Sequence, residues 1–225
     1  MDGVRIREYR DEDYHAVREL YAAGFTEKLD PLCVHVLTQT RVQLTLLAAL
    51  LVALALSGSV LASLVCGVLL LLAARLGLRL LLDRGVRLGL SEDLQDVGSS
   101  YMTPGRVACF WVAEDAGQVV VGTVGVLPCV TQPGAWELKR ISVRRDLRGR
   151  GVARALCGTA VAFAARGGVR HLVLYTSVLQ ADAQRLYLRL GFRKLEEFVW
   201  PSAPARLIGF VVYKYGRDLR PPPDT

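Results

Sequence analysis

Arg144-Arg145-Asp146-Leu147-Arg148-Gly149-Arg150-Gly151-Val152-Ala153 is the stretch on which the reading of this 225-residue chain turns. Before it, Trp136 to Val143 reads as a strand. After it, Val152, Leu156, Ala160 and Phe163 recur on one face of a helix that Gly167-Gly168 stops. The order strand, glycine turn, helix has a mechanical meaning. Glycines let the backbone bend with its amides inward, and the first helical turn adds unpaired N–H groups and the positive end of its dipole. Such a loop, ringed by arginines, is built to cradle a pyrophosphate. The plainer alternative is a solvated basic turn, because a glycine-rich loop alone is a weak signal.

Working outward, Val4 to Tyr9 alternates like a short strand, and Asp11 to Phe25 carries Val17, Leu20, Tyr21 and Gly24 at helical spacing. Val107 to Glu114 and Gln118 to Leu127, joined by Asp115-Ala116-Gly117, read as a hairpin. His171 to Thr176 is a further strand, Ala181 to Leu190 a helix, and Leu207 to Tyr215 a last strand; Pro221-Pro222-Pro223 reads as a solvated end. Strands and helices alternating in this way predict an α/β (α+β) sheet domain.

Between Arg41 and Arg75 no residue is charged, so Val42 to Ala74 meets the length criterion for a membrane-embedded segment. The residues before it are acidic and polar and do not read as a signal peptide. Arg75 to Leu90 mixes leucines with Arg75, Arg79, Arg84 and Arg87, as in a helix lying at a membrane interface, and the polar stretch Ser91 to Pro104 is expected to lead back into water. The five cysteines include no C-x-x-C pair and the three histidines lie far apart, so no metal site is expected. Cys109, Cys129, Cys157, Trp111 and Trp136 read as packing residues. A net charge of +7, mostly arginine, suits lipid headgroups or a phosphorylated ligand, while the lack of an aromatic-interleaved basic run argues against nucleic acid.

Arg148-Gly149-Arg150-Gly151-Val152-Ala153 resembles the R/Q-x-x-G-x-G/A loop by which the GNAT superfamily of N-acetyltransferases binds acetyl-coenzyme A. Gln180 to Phe192, ending Leu186-Tyr187-Leu188-Arg189-Leu190-Gly191-Phe192, is similar to the superfamily's late L-Y-x-x-x-G-F helix. Gln180 stands where that family places Asn or a like polar residue. The inserted apolar tract, Cys109-Phe110-Trp111-Val112-Ala113 and Glu137-Leu138-Lys139-Arg140-Ile141-Ser142-Val143 together resemble the camello-like (N-acetyltransferase eight) family over nearly the whole chain. The resemblance implies a GNAT fold: a central mixed sheet flanked by helices, with an inserted hydrophobic membrane hairpin. It also implies acetyl transfer from acetyl-coenzyme A to a primary amine such as aspartate, a cysteine S-conjugate or a protein lysine.

By the same resemblance, Ile141, Ser142 and Val143 supply the backbone amide that meets the thioester carbonyl, and Arg148, Gly149, Arg150, Gly151, Val152, Ala153 and Gln180 hold the cofactor. Glu137 is the candidate general base, with a surface carboxylate paired to Lys139 or Arg140 as its alternative. Tyr187 is the candidate acid, with a core tyrosine as its alternative. Arg140, Arg144 and Arg145 either attract an anionic acceptor or form a solvated basic face.

The expected organisation is therefore 1–41 as first strand and helix, 42–74 as membrane segment, 75–100 as interfacial helix and linker, and 101–220 as catalytic core. If the first strand joins the sheet, both ends of the tract lie on one side of the bilayer. Ser57-Gly58-Ser59 divides the tract into two uncharged arms, 42–56 and 60–74, each only about 22 Å as a helix against about 30 Å of hydrocarbon. A re-entrant hairpin is expected, and a single tilted span with the first strand outside the sheet is its competitor. Arg75, Arg79, Arg84 and Arg87 against Asp83 favour the cytosolic face for that flank, and an endoplasmic-reticulum membrane is the expected location. A binding scaffold without turnover is the alternative to an enzyme; the acceptor and oligomeric state are left open.

Overall fold

Short strands whose side chains alternate between two cores account for the architecture. The structure is a computed structural model describing residues 3–103, 105 and 107–219; Pro104 and the Pro221-Pro222-Pro223 tail lie outside the described residues. Seven strands form one sheet: β1 (Arg5–Glu8), β2 (Cys109–Glu114), β3 (Val120–Pro128), β4 (Ala135–Val143), β5 (His171–Ser177), β6 (Arg193–Val199) and β7 (Val211–Asp218), in the order β1-β2-β3-β4-β5-β7-β6. Only β4 and β5 run parallel; the other neighbours are antiparallel. On β2, Cys109, Trp111 and Ala113 enter one core, and Phe110 and Val112 enter the other. The first core is covered by α6 (Val152–Arg166) and α7 (Ala181–Arg189), the second by α1 (Tyr14–Thr26) and α5 (Val97–Tyr101).

β1 is an edge strand of four residues, held by more than its ladder. Arg7 Nε donates to Glu114 Oε2 at 2.6 Å, and its Nη atoms donate to both oxygens of buried Asp13 at 2.7 and 2.8 Å. The Asp115 carboxylate accepts from the amides of Gly117 (3.0 Å) and Val119 (3.1 Å) and so closes the β2–β3 hairpin as expected.

The apolar tract becomes two helices, α3 (Thr40–Ser57) and α4 (Val60–Ser91), after the short α2 (Leu29–Leu37). Gly58, left-handed at φ +63°, ends α3, and Ser59 Oγ accepts from Ala62 N–H at 3.3 Å to start α4. The helices touch where Ser63 Oγ donates to the Leu50 carbonyl at 2.8 Å. Most of their other leucines face outward, Leu56 being 84% and Leu61 72% exposed, whereas Leu78 is buried.

Two expectations need correction here, and a third, that β1 joins the sheet, is met. α4 does not break at Arg75, so the stretch foreseen as an interfacial helix is the downstream half of α4, packed on α1 and α2. The helices therefore outrun the uncharged tract, with 18 and 32 residues, or about 27 and 48 Å. Both are long and apolar enough to cross a membrane, and the argument that neither arm could span fails because charge bounds the tract but not the helix. β1 sits in the sheet, which removes the single-span alternative that left it out.

Further along, Ser91 to Pro104 is not a solvated lead: Leu94, Val97 and Tyr101 are completely buried, and Asp96 caps α5 through Ser99 N–H at 2.8 Å. Leu207 belongs not to the last strand but to α8 (Ala203–Leu207), whose cap is Ser202, so β7 begins at Val211. The charged strand β6 went unforeseen; it lies at the sheet edge and pairs only with β7.

Gly125 on β3 has no room for a side chain, since a Cβ there would lie 2.7 Å from Tyr101 Cε1 and 2.9 Å from Phe110 Cδ2, both rings fully buried. Gly125→Ala is expected to destabilise the fold by about 1–3 kcal/mol through overpacking. Chemical denaturation should show a lower midpoint at unchanged slope; an unaltered midpoint would mean the rings are not locked.

Candidate functional site

The site begins where two parallel strands stop pairing. β4 and β5 share only Ala135↔His171, Trp136↔Leu172 and Glu137↔Val173, although β4 continues to Val143 and β5 to Ser177. β5 is paired along its whole other edge to β7, and β4 is paired to β3. A cleft therefore opens between the strands, with Glu137 at its apex. β4 turns away through a bulge: Thr123 pairs with Ser142 and Gly125 with Lys139, so Val124 alone faces Arg140 and Ile141. Arg140 occupies the left-handed region at φ +58°, and the buried Thr123 hydroxyl donates to its carbonyl at 2.7 Å.

The glycine loop lies past the far end of β4. Gly149 and Gly151 take φ of +77° and +87°, open to glycine and strained for other residues. The first capping bond of α6 runs from Ala155 N–H to the Gly151 carbonyl at 3.0 Å, which leaves the amides of Val152, Ala153 and Arg154 ahead of it. The Val152 side chain is buried and Ala153 packs on the same core, so both offer a ligand only backbone. Arg148 donates from Nε to the Val143 carbonyl (2.9 Å) and from Nη1 to Glu27 (2.5 Å), tying the loop to the end of β4 and to α1. Arg144 is committed to Asp146 and Asp115, whereas Arg145 and Arg150 stay exposed. A groove lined by Leu20, Gly24, Glu27, Arg144, Arg145 and Arg148 runs between α1 and the loop. An amide-rich, cationic turn of this shape fits a pyrophosphate.

Within the cleft, Ile141 is half-buried and Val143 buried. Ser142 Oγ donates to the Leu20 carbonyl at 3.2 Å, so its hydroxyl secures α1 and only its backbone faces the ligand question. Gln180 stands where β5 hands over to α7. Its Oε1 accepts from Thr176 Oγ1 (3.1 Å), Ser177 N–H (3.0 Å) and Ser177 Oγ (3.3 Å), which fixes the side chain and leaves Nε2 as a donor.

Glu137 is half-buried, and its carboxylate makes no hydrogen bond or ion pair with a described residue. Burial raises its pKa, Lys139 and Arg140 oppose the rise, and Asp93 and Glu92 support it. The alternative of a carboxylate paired to Lys139 or Arg140 does not hold, because both cations turn to Asp93. Arg140 is thus neither a free attractor nor a solvated base; it is nearly buried against Asp93, Glu92 and the Tyr21 ring. Tyr187 is buried beside Phe192 and Tyr215, each ring 6.1 Å away, and its hydroxyl has no described partner. Burial pushes its pKa strongly up and keeps it protonated.

Asp93, Tyr101, Tyr21 and Thr123 were missed. Asp93 lay in a stretch read as linker, where the helical spacing of Leu94, Val97 and Tyr101 was the available signal. Cys109, Cys129 and Cys157 are buried packing residues, the Cys157 thiol pushed up to about 12 by burial. Among the described residues no cluster of three or more His, Cys, Asp or Glu is placed to hold a metal.

The Acetyltransferase (GNAT) family profile matches residues 87–192. Probable N-acetyltransferase camello of Xenopus tropicalis is 35% identical over 220 residues, covering 98% of this chain and all of that protein. N-acetyltransferase 8B of Rattus norvegicus is 36% identical over 220 residues, covering 96% and 98%. Among solved structures, a GNAT-family acetyltransferase from Staphylococcus aureus Mu50 superposes with a TM-score of 0.60 at 15% identity, covering 97% of this chain and all of that one. A GCN5-related N-acetyltransferase from Kribbella flavida gives 0.55 at 18%, covering 96% and 98%. The fold is that of the GNAT structures, and the curated relatives fix the family: the chain is an acyltransferase that belongs to the camello-like N-acetyltransferase 8 family of the GNAT superfamily.

Proposed function

We propose that this chain is a membrane-held enzyme that transfers acetyl from acetyl-coenzyme A to a primary amine, and that the observation carrying this reading is the β4–β5 cleft with Glu137 at its apex and the glycine loop at its open end. In this reading the pyrophosphate rests on the amides of Gly149, Arg150, Gly151, Val152 and Ala153, with Arg150 and the anchored Arg148 as the loop's cations. The pantetheine arm lies along Ile141, Ser142 and Val143, and Gln180 Nε2 contacts it from the β5 side. The acetyl carbonyl takes a backbone N–H from the bulged segment of β4. Glu137, through water, takes a proton from the ammonium form to leave the neutral amine. The amine nitrogen then bonds to the acetyl carbon, the carbon–sulfur bond breaks, the thiolate takes its proton from Tyr187, and the second proton shed by the new amide nitrogen returns Tyr187 to its neutral form. A half-buried carboxylate with a raised pKa is a better base near neutrality than a solvated one.

The acceptor is a primary amine of the kind carried by aspartate, a cysteine S-conjugate or a protein lysine. A screen of acetyl-coenzyme A turnover against those three classes tests the reading as a whole, and no transfer to any amine would favour a binding scaffold. The exposed leucines of α3 and α4 support a bilayer as partner. The flank of Arg75, Arg79, Arg84 and Arg87 against Asp83 supports a cytosol-facing domain, and the membrane we propose is that of the endoplasmic reticulum.

Gly151→Asp would place a carboxylate on strained left-handed backbone where the pyrophosphate approaches. Coenzyme A affinity by calorimetry should fall at least about tenfold, or ~1.4 kcal/mol; unchanged affinity in a folded variant would remove the loop from the site. For Glu137→Gln the expected result is a kcat lower by about 10²-fold with coenzyme A affinity near normal. Because the base must be ionised, wild-type kcat/KM should rise through its raised pKa as pH increases, and the variant should lose that limb. Wild-type turnover at all pH values would return Glu137 to a structural carboxylate. Finally, tags at Met1 and Thr225 should be equally open to protease in sealed microsomes; unequal protection would mean the tract crosses once.

A further inference from the structure

The bulge that turns β4 into the cleft is fastened from outside the sheet. Arg140 holds a left-handed backbone conformation, costly for a residue with a Cβ and persistent only when its surroundings over-determine it. Its carbonyl is pinned by Thr123. Its guanidinium lies 4.9 Å from the centre of the Tyr21 ring and donates from Nε to Asp93 Oδ2 at 2.9 Å and from Nη2 to Asp93 Oδ1 and to Glu92 Oε2 at 3.1 Å. Asp93 also accepts from the buried Tyr101 hydroxyl and lies 3.6 Å from Lys139 Nζ. Gly89, in the last turns of α4, leaves the space in which Tyr21 and Arg140 meet; a Cβ there would fall 2.0 Å from Tyr21 Oη.

From this geometry we infer that Asp93 is a positioning residue for the transfer reaction: by gripping Arg140 it holds the β4 bulge in the register that presents the backbone of Ile141 to Val143, and the Glu137 carboxylate, to the reacting atoms. The ladder to β5 has already ended at Glu137, so on that side of β4 no strand restrains the bulge, and the Asp93 grip adds to what β3 and the Thr123 hydroxyl supply. Asp93 suits the task. It is nearly buried, and although burial alone would raise its pKa, Arg140, Tyr101 and Lys139 hold it down at about 2, so it stays ionised across the working pH range. The charges that act on Glu137 come from β4 itself (Lys139 and Arg140) and from the segment after α4 (Glu92 and Asp93), so Asp93 also affects the base directly. The pH readout alone rests on Glu137 being the base, and Glu137→Gln tests that separately.

The experiment uses the full-length membrane protein and steady-state kinetics. Asp93→Asn should lower kcat at least about tenfold while KM for acetyl-coenzyme A stays within about threefold, because the pyrophosphate loop is untouched. It should also move the acid limb of kcat/KM to lower pH: a negative charge that raised the Glu137 pKa is gone, and Lys139 and Arg140, which lower it, are left uncompensated. Because this variant leaves Arg140 buried and unpaired, it is open to misfolding. The double variant Asp93→Asn/Arg140→Met removes both charges and keeps the side-chain bulk, and it should show the same split, low kcat with near-normal KM. A cooperatively melting double variant with wild-type kcat overturns the inference. So does a folded Asp93→Asn whose kcat falls while its acid limb stays in place, since mere packing would do that.

Discussion

Two strands that run side by side for three residue pairs and then separate are the constraint on which this molecule depends. A parallel ladder left open inside a sheet exposes backbone donors and acceptors on both lips, a cost native structures avoid unless something binds there. Here both strands remain anchored along their outer edges, β5 to β7 and β4 to β3, so the cleft persists without unravelling the sheet. Separation also decides where chemistry can occur. It puts Glu137 at the closed end, half-buried and without an ionic partner, and the glycine loop at the open end, where the first turn of α6 offers its amides. An acyl carrier with a pyrophosphate at one end and a thioester at the other has that polarity.

The apolar insertion is joined to this machinery instead of being appended to it. α3 and the upstream half of α4 pack chiefly on each other and turn most of their leucines outward into one large exposed apolar surface. The same α4 then continues without a break past Arg75 until its last turns pack against α1, and the chain leaves it directly into Glu92 and Asp93. Elements that composition alone divides into membrane segment, interfacial helix and linker thus form one continuous connection from the exposed apolar surface to the bulge of β4.

How much of this was legible follows the same physics. The glycine loop, the strand before it and the helix after it were readable because their signals are local: period two, positive-φ glycines, then period 3.6. Glu137 was readable only as a residue type on a strand; its lack of an ion pair depends on Asp93, 44 positions earlier, claiming Lys139 and Arg140. Helix lengths in the tract were misjudged because charge was used as a boundary, whereas arginines on an exposed helix face do not stop a helix. The segment from Ser91 was misread for the opposite reason: polar composition hid Leu94, Val97 and Tyr101, spaced to bury one face. β6 failed because an edge strand need not alternate when much of it meets water.

Topology finally rests on a residue far from the cleft. β1 is four residues long and has a single neighbour, too little backbone pairing to decide by itself which side of a bilayer the N-terminal segment occupies. Arg7 adds what the ladder lacks. Its half-buried guanidinium spans Asp13, which leads into α1, and Glu114, at the end of β2, so loss of Arg7 would take the same partner from both carboxylates. That restraint makes β1 and α1 part of the same folded body as the catalytic strands, and α1 is in turn tied to β4 through Ser142 and to the loop through Glu27. Because the chain leaves α1 for the hairpin and returns from it to Asp93 within that one body, an even number of crossings, or none, is the arrangement the fold permits.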